Sequence, residues 1–446
     1  MNLLPTWESN CKPLTPMNSL LSLLALLGAV CMAHAQLYFP PNGSNEWETI
    51  DPASLGWCQD NIDALYTFLE DQNTKGFIVL KDGKIVLEQY FNGQTQEDSW
   101  YWASAGKTLT AGLIGIAQEE NLLDITDKTS DYLGQGWTNA PLAKEDLITI
   151  WHQLSMTSGL DDGVTDPHCT DPNCLEYLAD AGTRWAYHNG PYTLLTDVLE
   201  NASGQTLNQY ANQKILSPTG MSGLYLPQGY NRVFFSTARS MARYGLLILN
   251  QGTWDTTPVI ADTNYLNEMI NTSQNLNEAY GYLWWLNGKD SFMIPQSQIV
   301  FDGTFMPNAP EDLVAGLGAD GQFLNVIPSQ NLVLVRMGEA PNNTPVPFTL
   351  NDDIWGYMNA LDCGLAMEDI EVTNTAVRLY PNPAQTELTI TSSEAIQKIE
   401  VFTVTGQKVL TTTLPTLDVS SLSEGMYVVT VVHTNGQVIH KKLLVE

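Results

Sequence analysis

The chain has 446 residues, 43% of them hydrophobic and 9% aromatic, with 49 acidic against 19 basic residues and a formal net charge of −30 at pH 7. That apolar content excludes wholesale disorder, and the length calls for one large domain plus a smaller one. The acid excess excludes nucleic acid and anionic membrane surfaces as partners, because phosphate binding needs clustered lysine and arginine; no EF-hand-like spacing converts the acid into a calcium site.

The first element is an address. "SLLSLLALLGAVCMAHAQ" carries an apolar run from Leu20 to Met32 and ends in Ala33-His34-Ala35, the h-region and small-x-small cleavage pattern of a secretory signal over residues 1–35. Lys12 is the single positive charge before it, and a start at Met17 would remove even that. The run is shorter than a membrane span requires, and Gly28-Ala29-Val30 before Cys31 is a poor lipoprotein signal. Beyond the signal stand Cys58, Cys169, Cys174 and Cys363. Export makes disulfides plausible, and four cysteines allow three pairings. A Cys169–Cys174 bridge would close a short ring, and a Cys58–Cys363 bridge would tie the ends of the main domain. A zinc site, with His168 beside Cys169, lacks a second cysteine or histidine pair at the required spacing.

Residues 36–366 read as mixed α/β (α+β). "DNIDALYTFLEDQ" puts Ile62, Leu65, Tyr66 and Leu69 on one helical face. "GFIVLKDGKIVLEQYF" is two β-rich runs joined by Asp82-Gly83, a hairpin signal. "WASAGKTLTAGLIGIAQEE" is a strongly helical stretch. "STARSMARYGLLILNQG" is another helix, with Ser236 as its expected N-cap and Gly252 beyond its end. A second hairpin is expected with strands near Phe323–Ile327 and Asn331–Arg336, followed by a closing helix in "NDDIWGYMNALDC". Strands near both ends with helices between predict one antiparallel sheet built from N- and C-terminal segments, with a helical insertion. After a linker over 367–376, residues 377–446 are short Thr/Val-rich strands punctuated by Thr405-Gly406 and Asn435-Gly436, the texture of a small all-β sandwich.

The chemistry centres on Ser104 and Lys107, one helical turn apart inside an apolar run. Serine is a weak nucleophile until a base takes its proton, and lysine serves as that base only when burial keeps it neutral. The spacing alone recurs by chance on many helices; the surrounding sequence narrows the choice. The Ser104 stretch, "ITIWHQLSMTSGL" from Ile148, "RWAYHNGPYTLL" with Tyr187 and Asn189, and "FSTARSMARYGLLILNQGTW" follow in order. Together, over about residues 57–360, they resemble the serine β-lactamase and penicillin-binding-protein superfamily. Within it they are most similar to the branch of class C β-lactamases, D-aminopeptidases, family VIII esterases and 6-aminohexanoate-dimer hydrolases.

The resemblance implies a β-lactamase/transpeptidase-like fold and a role for each motif residue. Ser104 would be acylated, Lys107 would take its proton, and Tyr187 would relay protons as general acid and base. Asn189 would hydrogen-bond substrate or Lys107, and the Ser104 N–H would supply half of an oxyanion hole. At the third family motif, a Lys or His before a small residue and glycine, this chain offers Ala319-Asp320-Gly321. The cation is missing, and the Gly321–Gln322 backbone is the expected second oxyanion donor. His152 is expected to be structural, and no G-x-S-x-G elbow supports a Ser-His-Asp triad. Tyr101, Trp102, Trp185, Tyr187, Tyr192, Trp284 and Trp285 are candidates for a pocket or for the core. No cofactor, metal or nucleotide motif is present.

The last 70-odd residues, from "YPNP" through "GQKV" and "GMYVV" to the pair Lys441-Lys442, resemble the type IX secretion sorting domain, which implies passage through that machinery to the surface or medium. The expected function is thus an exported serine hydrolase acting on a small-molecule amide or ester. The alternatives are β-lactamase or D,D-peptidase activity, or a non-catalytic surface binding protein that retains the fold.

Overall fold

In the computed structural model, residues 37–340, 348–363, 377–403, 406–436 and 438–445 are described. The expected signal and linker lie outside that set. Helix α1 (Gln59–Asp71) buries Ile62, Leu65 and Leu69, as its periodicity requires. It feeds β1 (Thr74–Lys81) and β2 (Lys84–Tyr90), joined at Asp82 and Gly83, both in the left-handed region that a two-residue hairpin turn demands. The remaining strands of the main sheet come from the far end of the chain: β3 (Trp285–Leu286), β4 (Val314–Gly318), β5 (Gln322–Ile327) and β6 (Leu332–Gly338).

The six strands run in the order β2-β1-β6-β5-β4-β3, every pair antiparallel. The N-terminal hairpin meets the C-terminal one through β1 and β6, with Phe77 opposite Arg336 and Val79 opposite Leu334. All of β5 and β6 is buried, which requires cover on both faces. Helix α5 (Ala238–Leu249) supplies one cover, its Gly245 lying against Leu324 and Val333. Helix α6 (Phe348–Asn359) supplies the other, where Asn351 and Asn325 exchange two buried hydrogen bonds of 2.8 and 3.0 Å. Leu324 and Asn325 are successive residues of one strand, so their helices sit on opposite faces.

Between the hairpins lies the helical insertion, including α2 (Lys107–Glu119), α3 (Ile150–Leu154) and α4 (Asn189–Ser203). Residues Lys107 through Ala117 are all buried, so α2 is a central helix and not an amphipathic surface one. Two disulfides form, Cys58–Cys363 and Cys169–Cys174, with a sequence separation of 305 in the first and 5 in the second. The second consumes the thiols that a zinc site would have used. The α5 helix departs from expectation at its start. Thr237, not Ser236, is the N-cap, its hydroxyl accepting from the Ser240 N–H. Ser236 instead ends a strand, Asn231–Ser236, that pairs with Trp100–Tyr101.

The C-terminal strands make two facing sheets. One holds Arg378–Tyr380, Glu387–Thr391 and Thr416–Asp418, the other Lys408–Thr412, Ile396–Thr403, Gly425–His433 and Val438–Val445. Their shared core includes Leu388, Ile390, Ile399, Val429, Val431 and Leu443. Among the described residues, no helix is long and apolar enough to cross a membrane.

Candidate active site

Ser104 is held by its neighbours on a bent stretch of backbone. The Trp102 N–H donates to the Phe234 carbonyl at 2.8 Å, and its fully buried indole N–H donates to Ser236 Oγ at 2.7 Å. The next residue, Ala103, has φ 45°, a conformation that L side chains avoid and that persists only where the surroundings impose it. A 3₁₀ turn over Ala103–Gly106 follows and runs into α2. In a 3₁₀ turn residues three apart eclipse one another more fully than in an α-helix. Lys107 thus stands over Ser104, with Nζ and Oγ 2.9 Å apart.

The two side chains differ in access. Ser104 is half-buried and open to a reactant, whereas Lys107 is only 4% exposed. Burial pulls the Lys107 ammonium down to about 7. The amine therefore reaches its neutral, proton-accepting form near neutral pH. Two tyrosine rings wall it in, Tyr192 at 4.3 Å and Tyr187 at 5.1 Å from Nζ to the ring centre.

Tyr187 arrives on the extended residues before α4. Its ring stacks on Trp285 at 5.9 Å and meets Tyr280 edge-on at 6.2 Å. Burial pushes its phenol far above the ordinary value, an effect only partly offset by hydrogen bonding to Ser104. The phenol therefore stays protonated and can donate. Asn189 is the first residue of α4 and is half-buried; among the described residues its carboxamide makes no hydrogen bond to Lys107.

The third motif works differently from expectation. Cβ atoms built at Gly316 and Gly318 would lie 3.3 Å from the Ala105 carbonyl and 2.5 Å from the Trp102 carbonyl respectively. These glycines let β4 lie directly against the Ser104 turn. The Leu313 carbonyl accepts from the Asn287 N–H on the β3 side. By the two-residue period of a strand, Ala315 and Leu317 also turn their polar groups that way. Strand β3 pairs only as far as Ala315, so the Leu317 N–H faces an open edge beside the turn. Gln322 stands opposite Gly318 and turns its N–H into the β4–β5 ladder. Register thus adds Leu317 to the expected Gly321–Gln322 pair as a candidate partner of the Ser104 N–H.

Gly321 and Gln322 are explained by packing. The Gln322 carboxamide donates to the Gly338 carbonyl at 2.6 Å and accepts from its N–H at 3.0 Å, pinning β5 to β6. Gly321 has φ 81°, and a Cβ there would lie 2.2 Å from Arg336 Nη1. Arg336 is fully buried and donates to the carbonyls of Gln72, Asp320, Gly321 and Glu339 and to Thr74 Oγ1. Asp320, the acid at the usual cation's flank, accepts from the Tyr101 phenol at 2.6 Å.

Residues 67–355 match the Beta-lactamase family. The chain belongs to that family. Residues 378–446 match the secretion system C-terminal sorting domain. An uncharacterized protein of Alkalihalophilus pseudofirmus is 22% identical over 305 residues, 60% of this chain and 84% of its own length. The D-aminopeptidase of Brucella anthropi is 28% identical over 187 residues, 36% of this chain and 35% of that enzyme. This β-lactamase-family chain thus spans about a third of the D-aminopeptidase's length. Among solved structures, a Bacillus anthracis protein provisionally assigned as a 6-aminohexanoate-dimer hydrolase superposes with TM-score 0.51 at 21% identity, over 73% of this chain and 89% of that one.

Other candidates in this family member sort by contact. His152 closes a capping box with Thr149, whose N–H donates to Nδ1 at 3.1 Å, and so serves its own helix. Trp102 and Trp284 are core. Trp185, Tyr187 and Trp285 form one ring cluster with Tyr280. Gly316, Gly318, Leu317 and Arg336 did not stand out in the sequence. The small-residue run "VAGLG" and a lone arginine inside "LVLVRMG" were the available signals: the first marks close backbone approach, the second a buried, satisfied charge.

Proposed function

We propose that this member of the β-lactamase-fold serine hydrolases is exported by its sorting domain and cleaves a neutral amide or ester through an acyl-enzyme at Ser104. The observation that carries the reading is the 2.9 Å contact between Ser104 Oγ and a lysine whose burial brings it to about 7. Neutral Lys107 takes the hydroxyl proton as Oγ bonds to the carbonyl carbon. The resulting oxyanion is held by the N–H groups of Ser104 and Leu317. The carbonyl re-forms as the bond to the leaving nitrogen or oxygen breaks, and the protonated Tyr187 phenol supplies the proton that the departing atom needs. The lysine ammonium returns a proton to Tyr187, and water then repeats the sequence to release the acid and free Ser104.

The strand beside the nucleophile reads Val314-Ala315-Gly316-Leu317-Gly318 and offers no cation, and the nearby acid Asp320 is engaged by Tyr101. A carboxylate-bearing β-lactam has no counter-charge there, which favours neutral substrates. The D-aminopeptidase relative supports amide cleavage as one option within this class. Labelling with a fluorophosphonate and with a fluorescent penicillin, wild type against Ser104→Ala, tests the proposal. Labelling by the first probe only, abolished in the variant together with p-nitrophenyl ester turnover, is expected. Undiminished turnover by Ser104→Ala would refute the acyl-enzyme.

A further inference from the structure

A buried lysine is ordinarily paired with a carboxylate, and Lys107 is not. Its Nζ meets Ser104 Oγ at 2.9 Å and the faces of two rings, Tyr192 at 4.3 Å and Tyr187 at 5.1 Å. Among the described residues it has no acidic partner, and burial is what shifts its titration. Tyr192 is the nearer ring, and its place is fixed at both ends. It lies in the first turn of α4, which is pinned where the Gln153 carboxamide donates to the Pro191 carbonyl at 2.6 Å. Its phenol oxygen is 3.2 Å from Thr110 Oγ1, and Thr110 follows Lys107 by one turn of α2. Residues three apart share a helix face, so a ring held at Thr110 by its hydroxyl lies back along α2 over the lysine.

The titratable groups around that nitrogen are neutral. Burial pushes the phenols of Tyr187, Tyr192, Tyr225 and Tyr280 above the ordinary tyrosine value, so none is charged at the pH where Lys107 titrates. A neutral ring still has a negative face, which attracts a cation most strongly where water is excluded. The uncharged amine gains almost nothing from the same face. The attraction therefore grows during the reaction: the Oγ–H bond breaks, an Nζ–H bond forms, and positive charge appears on nitrogen as Oγ bonds to the carbonyl carbon. An interaction that strengthens between ground state and transition state accelerates the step. Burial and ring thus pull the lysine in opposite directions. Burial supplies the neutral base, and the ring face keeps its protonated form within reach.

We propose that the ring face of Tyr192 stabilises the ammonium that forms on Lys107 as Ser104 is deprotonated, while the Tyr192 hydroxyl serves to hold the ring at Thr110. Tyr192 works through Lys107 and is in that sense a positioning residue. The inference rests on Lys107 being the base proposed above. Its consequences run together. Without the ring face the ammonium is less stable, so Lys107 gives up its proton at lower pH. The transition state loses the same support, so the plateau rate falls. Loosened packing acts the other way on pH, because water that enters favours the ammonium and moves the midpoint up.

The test follows the second-order rate of Ser104 modification by a fluorophosphonate from about pH 5 to about pH 9, which reports the first proton transfer without deacylation. The full chain carries at position 192 tyrosine, leucine, phenylalanine, or phenylalanine with a rising number of ring fluorines introduced by nonsense suppression. Fluorine drains charge from the ring face and nearly keeps its shape. Tyr192→Phe is expected within about twofold of wild type at every pH. Tyr192→Leu is expected to lower the midpoint by about half a pH unit or more and the plateau about fivefold, with the fluorinated rings between them in order of fluorine number. If Tyr192→Leu folds poorly, the fluorinated series decides by itself. A midpoint and plateau that stay constant along that series would overturn the proposal, as would a midpoint that rises as fluorines are added. If wild type shows no loss of rate at low pH, or Lys107→Met is modified as fast as wild type, the base role of Lys107 fails and this inference with it. If the pH dependence is present and is abolished in Lys107→Met yet ignores fluorination, the role of the ring alone fails.

Discussion

Replacing Lys107 by methionine separates what this side chain does for chemistry from what it does to stability. The ammonium is 4% exposed, and burial alone moves it to about 7. An unfolded lysine titrates near 10.4, and the difference corresponds to about 5 kcal/mol at about 1.4 kcal/mol per pH unit. Because the folded value is the lower one, the unfolded chain binds the extra proton between about pH 7 and about pH 10.4. Stability therefore rises with pH across that window, and below it the full penalty for burying the charge is present. Methionine keeps the shape and removes the penalty, while losing the Ser104 contact, worth about 1 kcal/mol. Lys107→Met should thus be more stable than wild type by about 3–4 kcal/mol below pH 7, with the advantage gone above about pH 10. Urea unfolding at pH 6, 8 and 10 measures this, in the Ser104→Ala background as well so that acylation plays no part. In wild type, kcat/KM should rise with pH, reach half its plateau near 7, and stand at about 1% of the plateau at pH 5. A variant less stable than wild type at pH 6, or activity that is flat down to pH 5, would refute the argument for a neutral, desolvated lysine.

Four further outcomes follow from the same geometry. Lys107→Arg should be inactive at every pH up to 10 in ester assays, because guanidinium stays charged. Gly321→Ala should destabilise by about 2–4 kcal/mol, since it meets Arg336 at a left-handed backbone position; calorimetry on this variant and on Gly303→Ala, an open left-handed site, separates the clash from the backbone strain. Breaking Cys58–Cys363 with serines should cost about 3–5 kcal/mol and breaking Cys169–Cys174 about 2, because the first closes a loop of 305 residues and the second a ring of 5; denaturant titrations of the two double variants give the order. His152→Ala should lower stability by about 1 kcal/mol through loss of its cap while kcat stays within about twofold, an outcome that a triad histidine could not produce.

Two kinds of information met in this chain. Local chemistry wrote the elements plainly. Asp82-Gly83 fixes its turn through backbone conformation, α1 shows its buried face in the spacing of Ile62, Leu65 and Leu69, and the Ser104–Lys107 spacing follows from one helical turn. These depend on residues a few positions apart, so a linear reading finds them. The N-cap slipped by one residue because Ser236 and Thr237 offer the same hydroxyl; what separates them is that the distant Trp102 indole claims Ser236.

The sequence by itself determined which groups could react, the order of the domains, and that the usual cation of the third motif is absent. Only the tertiary structure decided which of those groups come together. Burial around Lys107 turns a strong base into a neutral one, and that burial is supplied by Tyr187 and Tyr192, some eighty residues away in the chain. That Leu317 lies where β3 has stopped pairing, while Gln322 stands opposite Gly318 in the ladder, depends on register, which no local pattern encodes. Gly321 was expected as a donor because glycine at a motif suggests backbone chemistry; the fold adds that it must be small because Arg336 from a neighbouring strand lies against it. Desolvation and packing are properties of what surrounds a residue, and those surroundings exist only once the chain has folded.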